Sequence, residues 1–338
     1  MDKCSYVLTL GSGAEAKELI SSTRQSGKPG YKLLGCLSLD GHRASEPPQG
    51  VPLLGTSEIL REYIFRNPVD VLLVSAPLSP ALSKELLEPV LEIGLTVAIP
   101  RGVSVWLDSS TLEKTLIRHA PILGMDTIQL TTVQQGRAYL FTKRALDLVL
   151  STSLLVLLAP LLLLIVAAIK LTSPRRPVFY PWRVLGKNGK PFVGYKFRTM
   201  VPGADVLKQQ LLALNEMQGP VFKMRNDPRV TALGRFLRKL SLDELPQLYS
   251  VLKGDMSLVG PRPPSREEAE RFEFWQRRKL SVTPGISCLW QVNGRNEIPS
   301  FDEWVRLDLE YIQNASLLLD LKIMLRTIPV VLSGRGAS

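Results

Sequence analysis

The sequence predicts an α/β chain in two parts, a parallel sheet domain over residues 1–136 and a mainly helical α+β part over 137–338. Three observations predict it. Short apolar runs alternate with amphipathic stretches through the first third of the chain, the rhythm of strands covered by helices on both faces. An uncharged run of 22 residues, Leu148–Ile169, follows. From Val206 onward, helical spacing alternates with turns. At 338 residues the chain is long enough for two domains, each with its own core.

In the first part the expected strands are Tyr6–Leu10, Tyr31–Leu39, Val69–Val74 and Leu95–Ile99. Helices are expected from Ala14, near Ser57–Ile64 and near Ser83–Leu91. The turn after the first strand reads Gly11-Ser12-Gly13-Ala14-Glu15-Ala16, a GxGxxA pattern, and Asp40 follows the second strand where an acid could bind a ribose. Gly11 and Gly13 are therefore candidate nucleotide-binding positions. The plainer reading is a tight turn with close helix packing. Between Ala120 and Gly136 the regular period fades, which places the boundary there.

The apolar run exceeds the ~18 residues that suggest a membrane helix. Lys143 and Arg144 precede it, and Lys170, Arg175 and Arg176 follow. A crossing helix concentrates basic residues on one side, so basic residues at both ends favour a segment that enters and leaves by the same face. Pro160 in mid-run removes a backbone donor, and a break is expected at Leu157–Pro160. A re-entrant helix over about residues 144–171 satisfies both. Beyond it, Pro174, Pro177, Pro181, Gly186 and Gly189 read as irregular connection before a strand at Phe192–Phe197. One amphipathic helix is expected around Arg235–Leu252, with Phe236, Leu237, Leu240, Leu245, Leu248 and Leu252 on one face.

The net charge of +11 points to anionic partners, whether nucleotide phosphates, nucleic acid or an acidic lipid surface. Nucleic acid is disfavoured, because no strand or helix interleaves basic and aromatic residues. Cys4, Cys36 and Cys288 stand far apart, and His42 and His119 are the two histidines, so neither a disulfide framework nor a zinc site is expected. The N-terminus lacks the apolar core of a signal peptide, so the first third is not expected to be exported. P-loop, GxSxG and HExxH patterns do not occur.

Ser241-Leu242-Asp243-Glu244 has the form of a capping box, with Ser241 capping and Glu244 reaching back. The same geometry holds carboxylates as anions at a helix start, where phosphate also binds, so Asp243 can serve as a nucleophile. Pro246 supports a helix boundary at these acids. Lys196, Arg198, Arg238, Arg262 and Arg295 recur near Gly and Pro, in settings that can aim cations at phosphate oxygens.

Leu240–Leu248 and Val251–Pro263, followed by Pro284-Gly285-Ile286-Ser287, Gln291–Arg295, Asp308–Tyr311 and Leu319–Ile323, closely resemble the bacterial sugar transferases. These are the monotopic polyprenyl-phosphate glycosyl-1-phosphate transferases. Asn215-Glu216-Met217 and Phe301–Arg306 look like the exopolysaccharide and capsule branch, and the first 130 residues resemble the Rossmann-like domain of larger members. Those members usually begin with four transmembrane helices, which leaves the re-entrant segment as the expected anchor here. Ser287-Cys288-Leu289-Trp290 departs from the commoner threonine and glycine of its motif.

The resemblance implies transfer of a sugar 1-phosphate from a UDP-sugar to undecaprenyl phosphate, with UMP released. It implies that Asp243 attacks, that Mg²⁺ assists with Asp243 and Asp320 as candidate ligands, and that Glu244 either orients the metal or deprotonates the acceptor phosphate. The arginines would clamp oxygens. An anionic membrane, the cytoplasmic face of the bacterial inner membrane and a homodimer are implied as setting and partner. The competing expectation is a membrane-anchored protein that senses a nucleotide, or acts as a scaffold, without transferase activity.

Overall fold

The computed structural model describes residues 4–11, 30–39, 52–133, 135–294 and 298–334. Contacts divide the chain into two compact units, Met1–Gln134 and Gln135–Ser338.

The first unit is built on a seven-stranded sheet. Its strands are β1 (Ser5–Gly11), β2 (Tyr31–Ser38), β3 (Leu53–Thr56), β4 (Val71–Val74), β5 (Thr96–Pro100), β6 (Leu116–Ile122) and β7 (Met125–Thr131). They lie in the order β3-β2-β1-β4-β5-β7-β6. The first five run parallel, while β7 pairs antiparallel with both β5 and β6. Strand β4 is buried at every residue, as a strand covered on both faces must be. Helix α1 (Leu60–Arg66) follows β3, and α2 (Pro80–Glu92) follows β4. Ser79 caps α2 by accepting from the Leu82 amide, and Leu86, Leu87, Val90 and Leu91 form its buried face. A short α3 (Ser109–Glu113) precedes the final hairpin.

That hairpin corrects the expectation of fading structure after Ala120. Its turn carries Leu123 at φ 53° and Gly124 at φ 86°, the left-handed pair that a two-residue hairpin needs. Leu-Gly is not a usual signature for it. Pro121 is tolerated because β6 is an edge strand.

The second unit opens with two helices, α4 (Arg137–Leu157) and α5 (Ala159–Thr172), bent by 59° at Leu158. The break falls within the expected interval, and Pro160 occupies the first turn of α5, where its missing N–H is not needed. No single helix among the described residues is long and apolar enough to cross a membrane; the bent pair passes that test together. Ile165 and Ile169 of α5 pack with Val178, Phe197 and Leu237, while Leu163, Leu164 and Leu171 are exposed.

The stretch read as irregular connection instead contains strand β8 (Phe179–Leu185), paired antiparallel with β9 (Pro191–Phe197) around a turn with Asn188 at φ 56° and Gly189 at φ 76°. Helix α6 spans Ala204–Leu211.

The expected single helix over Arg235–Leu252 is three pieces: α7 (Ala232–Lys239), a 3₁₀ turn at Leu242–Glu244, and α8 (Gln247–Lys253). Ser241 breaks it by adopting φ 52°, ψ 21°, and Pro246 begins α8 from its cap position. Next come β10 (Ser257–Val259), α9 (Arg266–Ala269), β11 (Gly285–Ser287), α10 (Leu289–Val292), α11 (Phe301–Gln313) and α12 (Leu317–Ser333). Strands β10 and β11 pair in parallel.

Helix α4 is fastened along one polar seam. Arg144 donates to the carbonyls of Val251 and Leu252 at 2.6 and 2.7 Å, closing the end of α8. Asp147 accepts from Ser257 Oγ and the Leu258 amide at 3.0 and 2.9 Å, fixing the start of β10.

Candidate active site

The kink at Ser241 aims the acidic pair inward. Asp243 and Glu244 line a cavity of about 420 Å³, together with residues of the β8–β9 hairpin, the segment after it, and Arg238, Arg262, Trp290 and Trp304. The capping box is not formed. Ser241 makes no side-chain cap hydrogen bond, and Glu244 instead accepts from Lys196 Nζ at 2.7 Å. A left-handed Ser241 cannot place its hydroxyl over the turn, and the nearby ammonium is the stronger partner.

Asp243 is 8% exposed. Burial pushes its carboxyl up to about 6, and the Glu244 carboxylate beside it adds to the rise; Lys196 and Arg238 work against it. Arg238 lies under the same turn, donating from Nε to Thr199 Oγ1 at 3.0 Å, and burial pulls its guanidinium below the usual range. Arg262 pairs with Glu268 at 3.4 Å. The rigid base for Glu268 is a genuine capping box with Ser265, whose amide it accepts at 2.8 Å. Arg198 reaches the cavity wall while its Nε donates to the Pro177 carbonyl at 2.9 Å.

Of the expected site residues, the structure therefore gathers Asp243, Glu244, Lys196, Arg198, Arg238 and Arg262 at one cavity. Arg295, Gly13 and Asp40 lie outside the described residues. Gly11 ends β1, where a Cβ would collide with the side chain of Ser75, so close strand packing already requires glycine there. Asp320 needs correction as a metal ligand paired with Asp243. It does not line the cavity, and its oxygens accept from Lys143 at 2.9 Å, Tyr139 at 3.0 Å and Tyr311 at 2.7 Å.

Sequence reading passed over several residues of this cavity. Asp227 and Arg229 form a two-pronged pair at the cavity wall, Nε to Oδ1 at 2.9 Å and Nη2 to Oδ2 at 2.6 Å. Asn226-Asp227-Pro228-Arg229 held the signal, a turn that folds an acid back on an arginine. Trp290 and Trp304 stack with ring centres 3.9 Å apart, and the Lys223 ammonium stands 4.9 Å above Trp304.

Such an arrangement suits an anionic substrate. Cations surround a buried carboxylate that is largely ionised at neutral pH, in a pocket with room for a phosphate-bearing ligand.

Residues 138–334 match the family model described as bacterial sugar transferase. Over 161 residues the chain is 52% identical to the galactosyl transferase CpsE of Streptococcus agalactiae, covering 48% of this chain and 36% of the relative. Over 205 residues it is 43% identical to an undecaprenyl-phosphate galactose phosphotransferase of Salmonella typhimurium, covering 60% of this chain and 42% of the relative. A UDP-galactose-lipid carrier transferase of Erwinia amylovora is 31% identical over 344 residues, 98% of this chain and 69% of the relative. The chain thus spans less than half the length of the first two of these relatives.

Proposed function

Because the chain belongs to the bacterial sugar transferase family, we propose that it transfers a sugar 1-phosphate from a UDP-sugar to undecaprenyl phosphate, in exopolysaccharide or capsule assembly. The single observation that carries this is the buried Asp243 beside Glu244, ringed by Lys196, Arg238 and Arg262 at one cavity. In the first step an Asp243 oxygen bonds to the sugar-bearing phosphorus and the bond to the bridging oxygen breaks, so UMP leaves with that oxygen. In the second, an oxygen of the lipid phosphate attacks the same phosphorus and returns the Asp243 carboxylate. Lys196, Arg238 and Arg262 meet the charge on the phosphoryl oxygens.

Mg²⁺ fits this donor set. Among the described residues no cluster of three or more His, Cys, Asp or Glu side chains could hold a metal unaided. Two adjacent carboxylates remain, and Mg²⁺ is commonly held by one or two carboxylates plus substrate phosphates. Asp243 and Glu244 would hold it. When bound, the ion supplies charge neutralisation at the diphosphate.

The bent α4–α5 pair supports a re-entrant anchor on the cytoplasmic face of the bacterial inner membrane. Val156, Leu157, Leu163 and Leu164 around the bend are exposed, and basic residues stand at both open ends. The order β3-β2-β1-β4-β5, reversing between β1 and β4, supports a Rossmann-like reading of the first unit.

The test is UMP release from a panel of UDP-sugars with Mg²⁺ and detergent-dispersed undecaprenyl phosphate. Wild type is expected to release UMP with at least one donor, and Asp243→Asn to fall by about 10³-fold or more. Folded wild-type protein that releases none, or Asp243→Asn that keeps full activity, would overturn the proposal.

A further inference from the structure

Trp182 faces the reacting centre and has no part in the steps above. It stands on β8 directly opposite Gly194 of β9 and lines the cavity. A Cβ at Gly194 would stand 3.6 Å from the indole, in ordinary van der Waals contact, so the ring lies directly over this position of β9. Two positions along β9 on the same face, Lys196 brings its ammonium 4.1 Å from the indole centroid while bonding Glu244 at 2.7 Å. Arg262, from the loop after β10, brings its guanidinium carbon to 5.6 Å from the same centroid and pairs with Glu268. One ring therefore carries two of the three cations that border the acidic pair, Arg238 being held apart by Thr199.

Two like charges this close repel, and each has a carboxylate that draws it toward its own side. The indole face, negative by its quadrupole, attracts both and accepts no strong hydrogen bond from either. It therefore restrains the stems while leaving N–H groups to be spent on another anion. A lysine without that support samples many rotamers, and ordering it would weaken binding when substrate arrives.

We infer that Trp182 is a positioning residue that holds Lys196 and Arg262 as a preformed pair of cations for the diphosphate of the nucleotide sugar. This rests on the transferase reading above. The ring touches no reacting atom in this account; it acts through the two side chains it supports.

The test replaces Trp182 alone, by nonsense suppression in the full-length chain, with mono-, di-, tri- and tetrafluorotryptophan. These keep the shape of indole while draining its face of negative charge in steps. The logarithm of kcat/KM for the UDP-sugar is expected to fall steadily with each fluorine at an unchanged unfolding midpoint. Trp182→Leu is expected to lose about 10-fold or more, and Trp182→Phe to keep an intermediate value, in line with a weaker but present π face. A flat fluorination series with active wild type would overturn this inference and leave the transferase reading intact. A wild type inactive with every donor would overturn the reading on which it stands.

Discussion

Lys143 and Asp320 meet at 2.9 Å, although 177 residues separate them, and their side chains are only 13% and 6% exposed. The contact joins the first limb of the bent helix pair to the last helix. Tyr311, which donates to Asp320 at 2.7 Å, has its hydroxyl 3.3 Å from the Val259 carbonyl, three residues before Arg262. The acid therefore anchors the strand that feeds the site.

Breaking such a pair from one side strands a buried charge, at a cost of about 3–5 kcal/mol. Asp320→Leu is expected to destabilise by about 3 kcal/mol, and the double change Lys143→Met with Asp320→Leu by clearly less than the two single changes together. Denaturant unfolding in detergent measures the cycle. Strict additivity would show that the pair is not coupled.

Helix α7 crosses the backbone of Thr199 at Gly234, and a Cβ there would run into the Thr199 carbonyl. That residue also receives the Arg238 guanidinium. Gly234→Ala is expected to cost about 1–3 kcal/mol by overpacking and to lower kcat/KM for the UDP-sugar by displacing Arg238. Gly136→Ala, with open space around it, is the control that should change neither. Equal behaviour of the two variants would refute the crowding argument.

The reading of the acidic pair and four of its cations needed little beyond residue type and punctuation. Pro246 marks the boundary after the acids and Gly260, Pro261 and Pro263 frame Arg262, although Lys196 lies on strand β9 and Arg238 on helix α7. The parallel core was legible from its apolar runs for a similar reason: strands such as Val71–Val74, buried on both faces, lack polar interruptions. What stayed hidden depended on backbone choices that the residues do not advertise. Leu123 and Ser241 adopt left-handed conformations that glycine or asparagine would have announced. The first makes a hairpin where pattern faded, and the second splits one apparent amphipathic helix into a kinked site. Trp182 was illegible because its importance is a diagonal contact across a hairpin whose first strand contains Pro181.

The bend at Leu158 predicts how the proposed re-entrant pair responds to Pro160→Ala. Alanine restores the missing donor and lets α4 and α5 join, so some chains should straighten. Cysteines placed at Gly136 and Pro174, in a chain with Cys4, Cys36 and Cys288 replaced, are expected to label from one membrane face in the parent. In Pro160→Ala a fraction should label from opposite faces. Opposite-face labelling in the parent would show a crossing helix.

The raised carboxyl of Asp243 sets two pH dependences of different sign. As a nucleophile it must be ionised, so kcat/KM for the UDP-sugar should be level above about pH 6 and fall about tenfold per unit below it. Stability runs the other way. Between about pH 4, where an unfolded aspartate titrates, and about pH 6, the folded chain holds a proton that the unfolded chain has lost. Folding is therefore favoured as pH falls through this window, and that increment disappears as pH rises through 6. Asp243→Asn removes the titrating group, so its unfolding free energy should lack the decline that wild type shows between pH 4 and 6. Denaturant midpoints for both chains across that range measure the difference, and parallel curves would mean that Asp243 titrates as an ordinary carboxylate.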